Sequence, residues 1–269
     1  MFSVLILTLN EEHNLPACLA SVAPCDDIVV LDSGSADRTV ELARSAGARV
    51  WVHPFTNFAQ QRNYAHATID FRHPWVLHLD ADERLTPALF EECARCPDDA
   101  PYNGWWIAPK MLFFGRWVPH CTDYPAWQAR LVRARGFEFI QVGHGQREAP
   151  GMRMGRLREN YLHEMMAGGV DEWLAKHRRY AREEAAAYLA APQPEWQGLF
   201  SASALVRRRA WKKLSYSLPC RSTLRFVYQY ALRRGFLDGA AGFRYCRLLA
   251  RYEGFTARAL REMKRPPRS

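Results

Sequence analysis

Four apolar runs of strand length, each followed by a helical pattern, dominate the first hundred residues. "SVLILTL" (3–9), "DIVVLDSGS" (27–35), "ARVWVHP" (48–54) and "WVLHLDAD" (75–82) carry continuous apolar centres instead of polar alternation. A strand of that kind expects cover on both faces. Between them, "NLPACLASV" (14–22) and "FAQQRNYAHATI" (58–69) have helical spacing, "DRTVELARSAG" (37–47) ends on a capping Gly47, and "PALFEECARC" (87–96) opens on proline. The alternation predicts an α/β chain: a mostly parallel sheet with helices on both faces. Ligands of such sheets sit beyond the carboxyl ends of the strands. Asn10, Asp32, Asp80 and Asp82 all fall at those ends.

"VLHLDADERL" (76–85) sets Asp80, Asp82 and Glu83 at the end of one apolar run. Close carboxylates raise one another's pKa unless a cation or a proton lies between them. The loop after the first strand, "TLNEEHNL", has neither GxGxxG nor GxxxxGK[ST]. A dinucleotide dehydrogenase and a P-loop NTPase are thereby disfavoured. A phosphate ligand beside carboxylates instead requires a divalent cation, and Mg²⁺ or Mn²⁺ suits oxygen ligands and substrate phosphates. Asp80 and Asp82 are expected to hold such a metal diphosphate.

At 269 residues and 48% hydrophobic, the chain is long enough to bury a substantial core. Its net charge of +9 is unevenly spread. Residues 197–269 carry 17 Lys+Arg against Asp238, Glu253 and Glu262, a net +14; the other 196 residues carry 20 basic and 25 acidic, a net −5. "SALVRRRAWKKL" (203–214) and "TLRFVYQYALRRGFL" (223–237) interleave apolar residues with arginine and lysine. Basic amphipathic helices of this kind lie in membrane interfaces, so an anionic membrane surface is the expected partner of the tail. "WLAKHRRYAREEAAAYLA" (173–190) reads as a helix and "APQPEWQG" (191–198) as a break. Seven cysteines without a secreted spacing, including Cys93 and Cys96, read as reduced helix or loop residues. "MFSVLILTLNEE" lacks a basic n-region and reads as a first strand, and no apolar run reaches 18 residues. The expected location is cytoplasmic, peripheral at the inner face of the membrane.

"TLNEE", "VLDSGSADRT", "AQQRNYA" and "LDADE", in this order and spacing, resemble the inverting family 2 glycosyltransferases of GT-A fold. "RLVRA" (130–134), "VGHGQREAP" (142–150) and "GRLRENYLHE" (155–164) extend the likeness toward the bacterial lipopolysaccharide-core β-glucosyltransferase branch. The resemblance implies a Rossmann-like domain over 1–190, with a nucleotide-sugar half (1–100) and an acceptor half (101–190). A basic helical region would follow over 191–269. It implies that Thr8, Asn10 and Glu11 line the nucleotide pocket and that Asp32 accepts from base or ribose. Arg62 and Asn63 would face the nucleotide, Asp80 the ribose or a metal-bound water, and Asp82 would ligate the metal. His163 would be a third ligand or a diphosphate contact; a hydrogen-bonded structural histidine is the plainer reading. Asp32 likewise reads as a turn former before Ser-Gly-Ser, and Arg62 as an ion-pair partner.

Inverting transfer is one in-line displacement that needs a general base for the acceptor hydroxyl. Asp123, Glu138 and Glu148 are candidates in the second half. The resemblance favours Glu148, although "GQR" separates it from His144, with Asp123 second. The aromatic run Tyr102, Trp105, Trp106, Phe113, Phe114, Trp117, Tyr124 and Trp127 serves sugar stacking or core equally well. The expected activity is transfer from a nucleotide sugar, UDP-hexose by family habit, to a lipid-linked or polysaccharide acceptor. A sugar-nucleotide-forming nucleotidyltransferase and a nucleic-acid-binding protein are the alternatives. The first lacks its glycine-rich loop, and the acidic body argues against the second.

Overall fold

The computed structural model describes residues 1–142, 145–190, 196–203, 206–207, 210–211, 214, 216 and 220–264. Two compact units emerge: residues 1–117 with 123–167, and residues 118–122 with 168–269. The division at 167/168 precedes the expected 190/191 boundary, because the helix over 169–190 packs with the C-terminal helices. Half of "SALVRRRAWKKL", and the "APQPE" part of the expected break, lie outside the described residues.

The first unit is built on a nine-stranded sheet. β1 (Ser3–Thr8), β2 (Ile28–Asp32), β3 (Arg49–Val52) and β4 (Trp75–Asp80) are parallel, ordered β3-β2-β1-β4. β5 (Glu83–Arg84), β6 (Gly104–Phe113), β7 (Arg116–Trp117) and β8 (Gln128–Arg133) follow in the chain. β9 (Phe139–Val142) and β10 (Gly145–Glu148) form a separate antiparallel hairpin, and β11 (Met154–Glu164) returns to the main sheet. From β4 the order continues β8-β6-β11-β5, with β8 antiparallel to both neighbours and β6 parallel to β11. The sheet is therefore mixed, parallel in its first half and turned by β8 in its second.

Both faces of the parallel half are covered, as the unbroken apolar runs require. Val4, Ile6, Leu77 and Leu79 pack with Leu15, Cys18, Leu19 and Val22 of α1 (Leu15–Val22) and Leu89 and Cys93 of α4 (Pro87–Ala94). The alternate residues Leu5, Leu7, Val29, Leu31 and Val76 pack with Ala65 and Ile69, at the end of α3 (Phe58–Thr68). Each fully buried leucine contributes about 1.5–3 kcal/mol through this burial. α2 (Thr39–Ser45) ends where Gly47 takes φ +79°, and the amide of Gly47 donates to the Arg44 carbonyl. That left-handed position is the cap expected of Gly47.

The second unit contains α5 (Gly169–Ala190), α6 (Arg221–Val227), a π-helical turn over Tyr228–Leu232, a 3-10 turn over Gly235–Asp238 and α7 (Gly239–Lys264). Residues 118–122 enter it from the middle of the chain. Asp238, buried, accepts from the amides of His120 (3.0 Å) and Cys121 (2.8 Å) and pairs with His120 Nδ1 at 2.6 Å. Gln229 donates to the Cys121 carbonyl and Arg233 to the Thr122 carbonyl. Among the described residues, no helix is long and apolar enough to cross a membrane.

Candidate active site

The acids at the end of β4 are met by a shared set of basic side chains. Asp80 Oδ1 accepts from Arg62 Nη2 at 2.8 Å, and Asp80 Oδ2 lies 3.4 Å from Arg130 Nη2. Arg130 Nη2 donates to Glu83 Oε1 at 2.6 Å, and Glu83 Oε2 accepts from the Asp80 amide at 2.9 Å. His163 Nε2 is 3.3 Å from Asp82 Oδ2, and its Nδ1 is 3.6 Å from Glu83 Oε1. β5 pairs with β11 so that His163 stands directly across from Glu83. Arg130 reaches in from β8, donates to the Tyr161 hydroxyl at 3.2 Å, and lies over that ring.

Burial grades the cluster. Arg62, Arg130 and Glu83 are enclosed, whereas the side chains of Asp80, Asp82 and His163 keep 30%, 29% and 26% of their surface open to solvent. Burial opposes the Asp80 charge, but Arg130 and Arg62 outweigh it and hold the carboxyl below its ordinary range. Burial pushes Glu83 up to about 7, against Arg130, with Asp80 and Asp82 adding to the rise. Burial also opposes the His163 imidazolium, yet the hydrogen bond and charge of Asp82, with Glu83 and Asp80, raise it to about 9. His163 thus carries a proton at neutral pH. Beneath the cluster, His66 and His78 touch through their Nε2 atoms at 3.0 Å, and burial lowers both, keeping them neutral.

Several expected contacts take a different form. Arg62 is 1% exposed and cannot face a nucleotide; it holds Asp80 from below, while its Nε and Nη1 are buried without a hydrogen-bond partner. Asp32 is equally enclosed. It accepts from Thr8 Oγ1, the amides of Gly34 and Ser35, and Ser35 Oγ, so it forms the turn that the sequence suggested. Thr8, 3% exposed, serves the same turn. Asn63 brackets Phe139 with its amide, donating to the carbonyl (2.8 Å) and accepting from the N–H (2.9 Å), so it fixes a strand.

What remains open at the strand ends is the Asn10–Glu11 loop beside Asp80 and Asp82. Asn10 adopts φ +56°, and its amide and side-chain oxygen bond to Ser35 Oγ and the Ala36 amide. Asn tolerates that left-handed geometry better than most residues. Glu11 is tied through its amide to Thr39 Oγ1 and through its carboxylate to Asn14.

The two candidate bases occupy different settings. Glu148 ends β10, in register with Phe139 across the hairpin. Phe139 is bracketed by Asn63 and lies under the Arg62 guanidinium at 5.9 Å, so Glu148 is tied to α3 by two short links. Asp123 is exposed in the connection between β7 and β8. His144, with Gly143, lies outside the described residues. The aromatic run divides: Phe113 is core, while Phe114, Trp117 and Trp127 are exposed.

The donor set fits a divalent cation that substrate completes. Asp82 and His163 offer one carboxylate and one imidazole side by side, and oxygen-loving cations commonly take one or two protein ligands plus phosphate oxygens. No cluster of three His, Cys, Asp or Glu forms a ready cage among the described residues. Binding a metal through His163 would first remove its proton.

Comparison with known proteins gives the same direction. Residues 3–120 match the model described as "Glycosyl transferase family 2". The chain is 29% identical over 196 residues to the lipopolysaccharide core biosynthesis glycosyltransferase LpsC of Rhizobium meliloti, covering 66% of this chain and 68% of that one. It is 36% identical over 91 residues to an uncharacterized glycosyltransferase of Rickettsia bellii, 34% of this chain but only 30% of its relative. The structure of a mannosyltransferase from Pyrobaculum calidifontis, in complex with GDP-Man and Mn²⁺, superposes with a TM-score of 0.54 at 16% identity over 98% of this chain and 88% of that one. At that identity the likeness speaks for the fold.

Proposed function

We propose that this chain, whose residues 3–120 match the glycosyl transferase family 2 model, moves a hexose, with inversion, from a nucleoside-diphosphate sugar to a lipid-linked or lipopolysaccharide acceptor. The observation that carries the reading is the graded cluster at the end of β4. Two buried arginines fix Asp80 and Glu83, and Asp82 and His163 are left at the open rim. LpsC supports the class of acceptor.

Asp82 and His163 would hold Mg²⁺ or Mn²⁺, which when bound supplies positive charge to the departing diphosphate. Asp80, held ionised by Arg62 and Arg130, presents an acceptor at the rim for a ribose hydroxyl or a metal-bound water. The Asn10–Glu11 loop borders the nucleotide. Glu148 takes the proton from the acceptor hydroxyl as its oxygen attacks the anomeric carbon from the face opposite the leaving group, and Asp123 is the second candidate. Arg62, Asn63 and Asp32 act as positioning residues. The basic C-terminal region supports a site of action at the inner face of the cytoplasmic membrane, where it would meet a lipid-linked acceptor.

The test is nucleoside diphosphate release by the full chain, with UDP- and GDP-hexoses, a truncated lipopolysaccharide acceptor, and Mn²⁺ or EDTA. Release that needs acceptor and metal together is expected. Release unaffected by EDTA would sink the metal assignment. Pyrophosphate release from a nucleoside triphosphate and a sugar phosphate would establish the nucleotidyltransferase instead.

A further inference from the structure

Within twenty residues of the C-terminal unit, Leu224, Val227, Leu232, Phe236, Leu237 and Phe243 are 40–73% exposed. They lie on α6, the π-helical turn, the 3-10 turn and the start of α7, which pack on one another. Scattered exposed apolar residues are ordinary, but such density in one stretch marks an interaction surface.

The stretch is rigidly built. Phe226 stacks on Tyr230 at 5.2 Å, Phe243 contacts both rings at 5.8 and 5.7 Å, and Phe236 contacts Tyr230 at 6.3 Å. The turn that presents Phe236 and Leu237 starts at Arg234, held at φ +60°, and continues through Gly235, where a Cβ would come within 2.7 Å of the Gln229 carbonyl oxygen. That backbone is unfavourable for arginine and closed to any side chain at 235, so the reversal is imposed by its surroundings.

Its charge is one-signed. Residues 221–252 contain seven arginines, no lysine and one acid, Asp238. That acid is buried against His120 and Cys121, and Glu253, the next residue beyond, is taken up by the buried Arg221, so neither offsets the exposed arginines. Arg234, Arg244 and Arg247 are exposed, and the Arg247 guanidinium lies 5.7 Å from the Phe243 ring centre. A second copy of the same face would bring like charges together, which opposes self-association. Nucleic acid would use the arginines and rings, but Leu224, Val227, Leu232 and Leu237 offer nothing for a base to stack on. An anionic bilayer uses both classes, burying apolar side chains at the acyl boundary while arginines meet lipid phosphates.

We propose that this face, centred on Leu232, Phe236 and Phe243, is the surface that inserts into an anionic lipid interface. The inference rests on the membrane reading above and assigns it to residues. Point variants are the right tool, because a cut near Gln197 would also strip residues 118–122 of Asp238, Gln229 and Arg233.

The experiment is co-sedimentation of the full chain with phosphatidylglycerol–phosphatidylethanolamine vesicles and with phosphatidylcholine vesicles, at 0.1 and 0.5 M NaCl. The variants are Leu232→Ser/Phe236→Ser and Arg234→Gln/Arg244→Gln/Arg247→Gln, each first shown to melt like the parent. Parent binding to anionic vesicles that survives 0.5 M salt in part is expected, since screening weakens only the charge component. The apolar variant should bind at least tenfold less at both salts. The arginine variant should bind about tenfold less at 0.1 M and match the parent at 0.5 M. Parent-like binding by the apolar variant would overturn the assignment and leave the membrane reading standing. No sedimentation of the parent with either vesicle would overturn both. A parent that dimerises or retains RNA through this face, with either property lost in the apolar variant, would replace lipid with that partner.

Discussion

Two buried carboxylate clusters, one in each unit, use opposite kinds of partner. At the end of β4, Asp80, Asp82 and Glu83 are met by charged groups, Arg62, Arg130 and His163, and two of the three acids remain part-open to solvent. In the C-terminal unit Asp238 is met by two main-chain amides and one imidazole, and its side chain is 2% exposed. Main-chain donors are fixed and cannot be exchanged, so such a carboxylate is a joint. Charged side chains that crowd several acids at an open rim keep ionised oxygens available, which is what a ligand site needs.

The most severe way to break this comparison is Asp82→Ala. If the open rim is the working site, metal-dependent turnover should fall by about 10³-fold, on the scale of losing a principal charge-stabilising group. Wild-type turnover would reduce the strand-end cluster to a second joint. The apo protein should lose a little stability, not gain it. The carboxylates are not an unrelieved pile of like charge, because Asp82 already has His163 as its partner. Glu148→Gln should keep donor binding and lower turnover by about 10² to 10⁴. Normal turnover there, with Asp123→Asn inactive, would move the base to Asp123.

The joint makes the opposite demand. Asp238→Ala orphans two amides and an imidazole and should cost about 3 kcal/mol in a urea melt, with Asp238→Asn milder because one acceptor oxygen survives. Unchanged stability would remove the contrast between the clusters. The smallest effect concerns His163. Its folded pKa of about 9 lies above its ordinary 6.5. Its contribution to stability is therefore complete below pH 6.5 and lost as pH rises through 9. The melting-temperature gap between parent and His163→Gln should shrink from pH 6 to pH 9.5; a constant gap would mean that folding leaves the imidazole's pKa where it is in the unfolded chain.

The parallel half of the sheet was legible because each strand is covered on both faces and each helix follows its strand locally. Asn10, Asp80 and Asp82 could accordingly be placed at strand ends from spacing alone. The partners of those acids could not. Arg130 arrives on β8, fifty residues past Asp80, and His163 on β11, eighty past Glu83. Apolar periodicity carries no information about which distant strand lies beside which. "RLVRA" and "NYLHE" were visible as motifs, yet only strand order shows that Arg130 and Tyr161 meet beneath Glu83. The structural bonds of Asp32 and Asn63 were hidden for a related reason. Each satisfies local backbone or hydroxyl groups, and residue type does not distinguish a ligand contact from a structural one. The split between core and exposed aromatics needed burial, which composition does not hold.

The five residues 118–122 set a condition on how this chain can be made and exchanged. His120 leaves the ribosome 118 residues ahead of Asp238. The strand-and-helix unit can condense early, but the C-terminal unit cannot close until nearly the whole chain has been synthesised. A single recombination point at 167/168 would also carry off the helices without the segment that they hold. Inheritance of the C-terminal unit is thereby coupled to a segment embedded in the first one, and a viable chimera must take both pieces from the same parent.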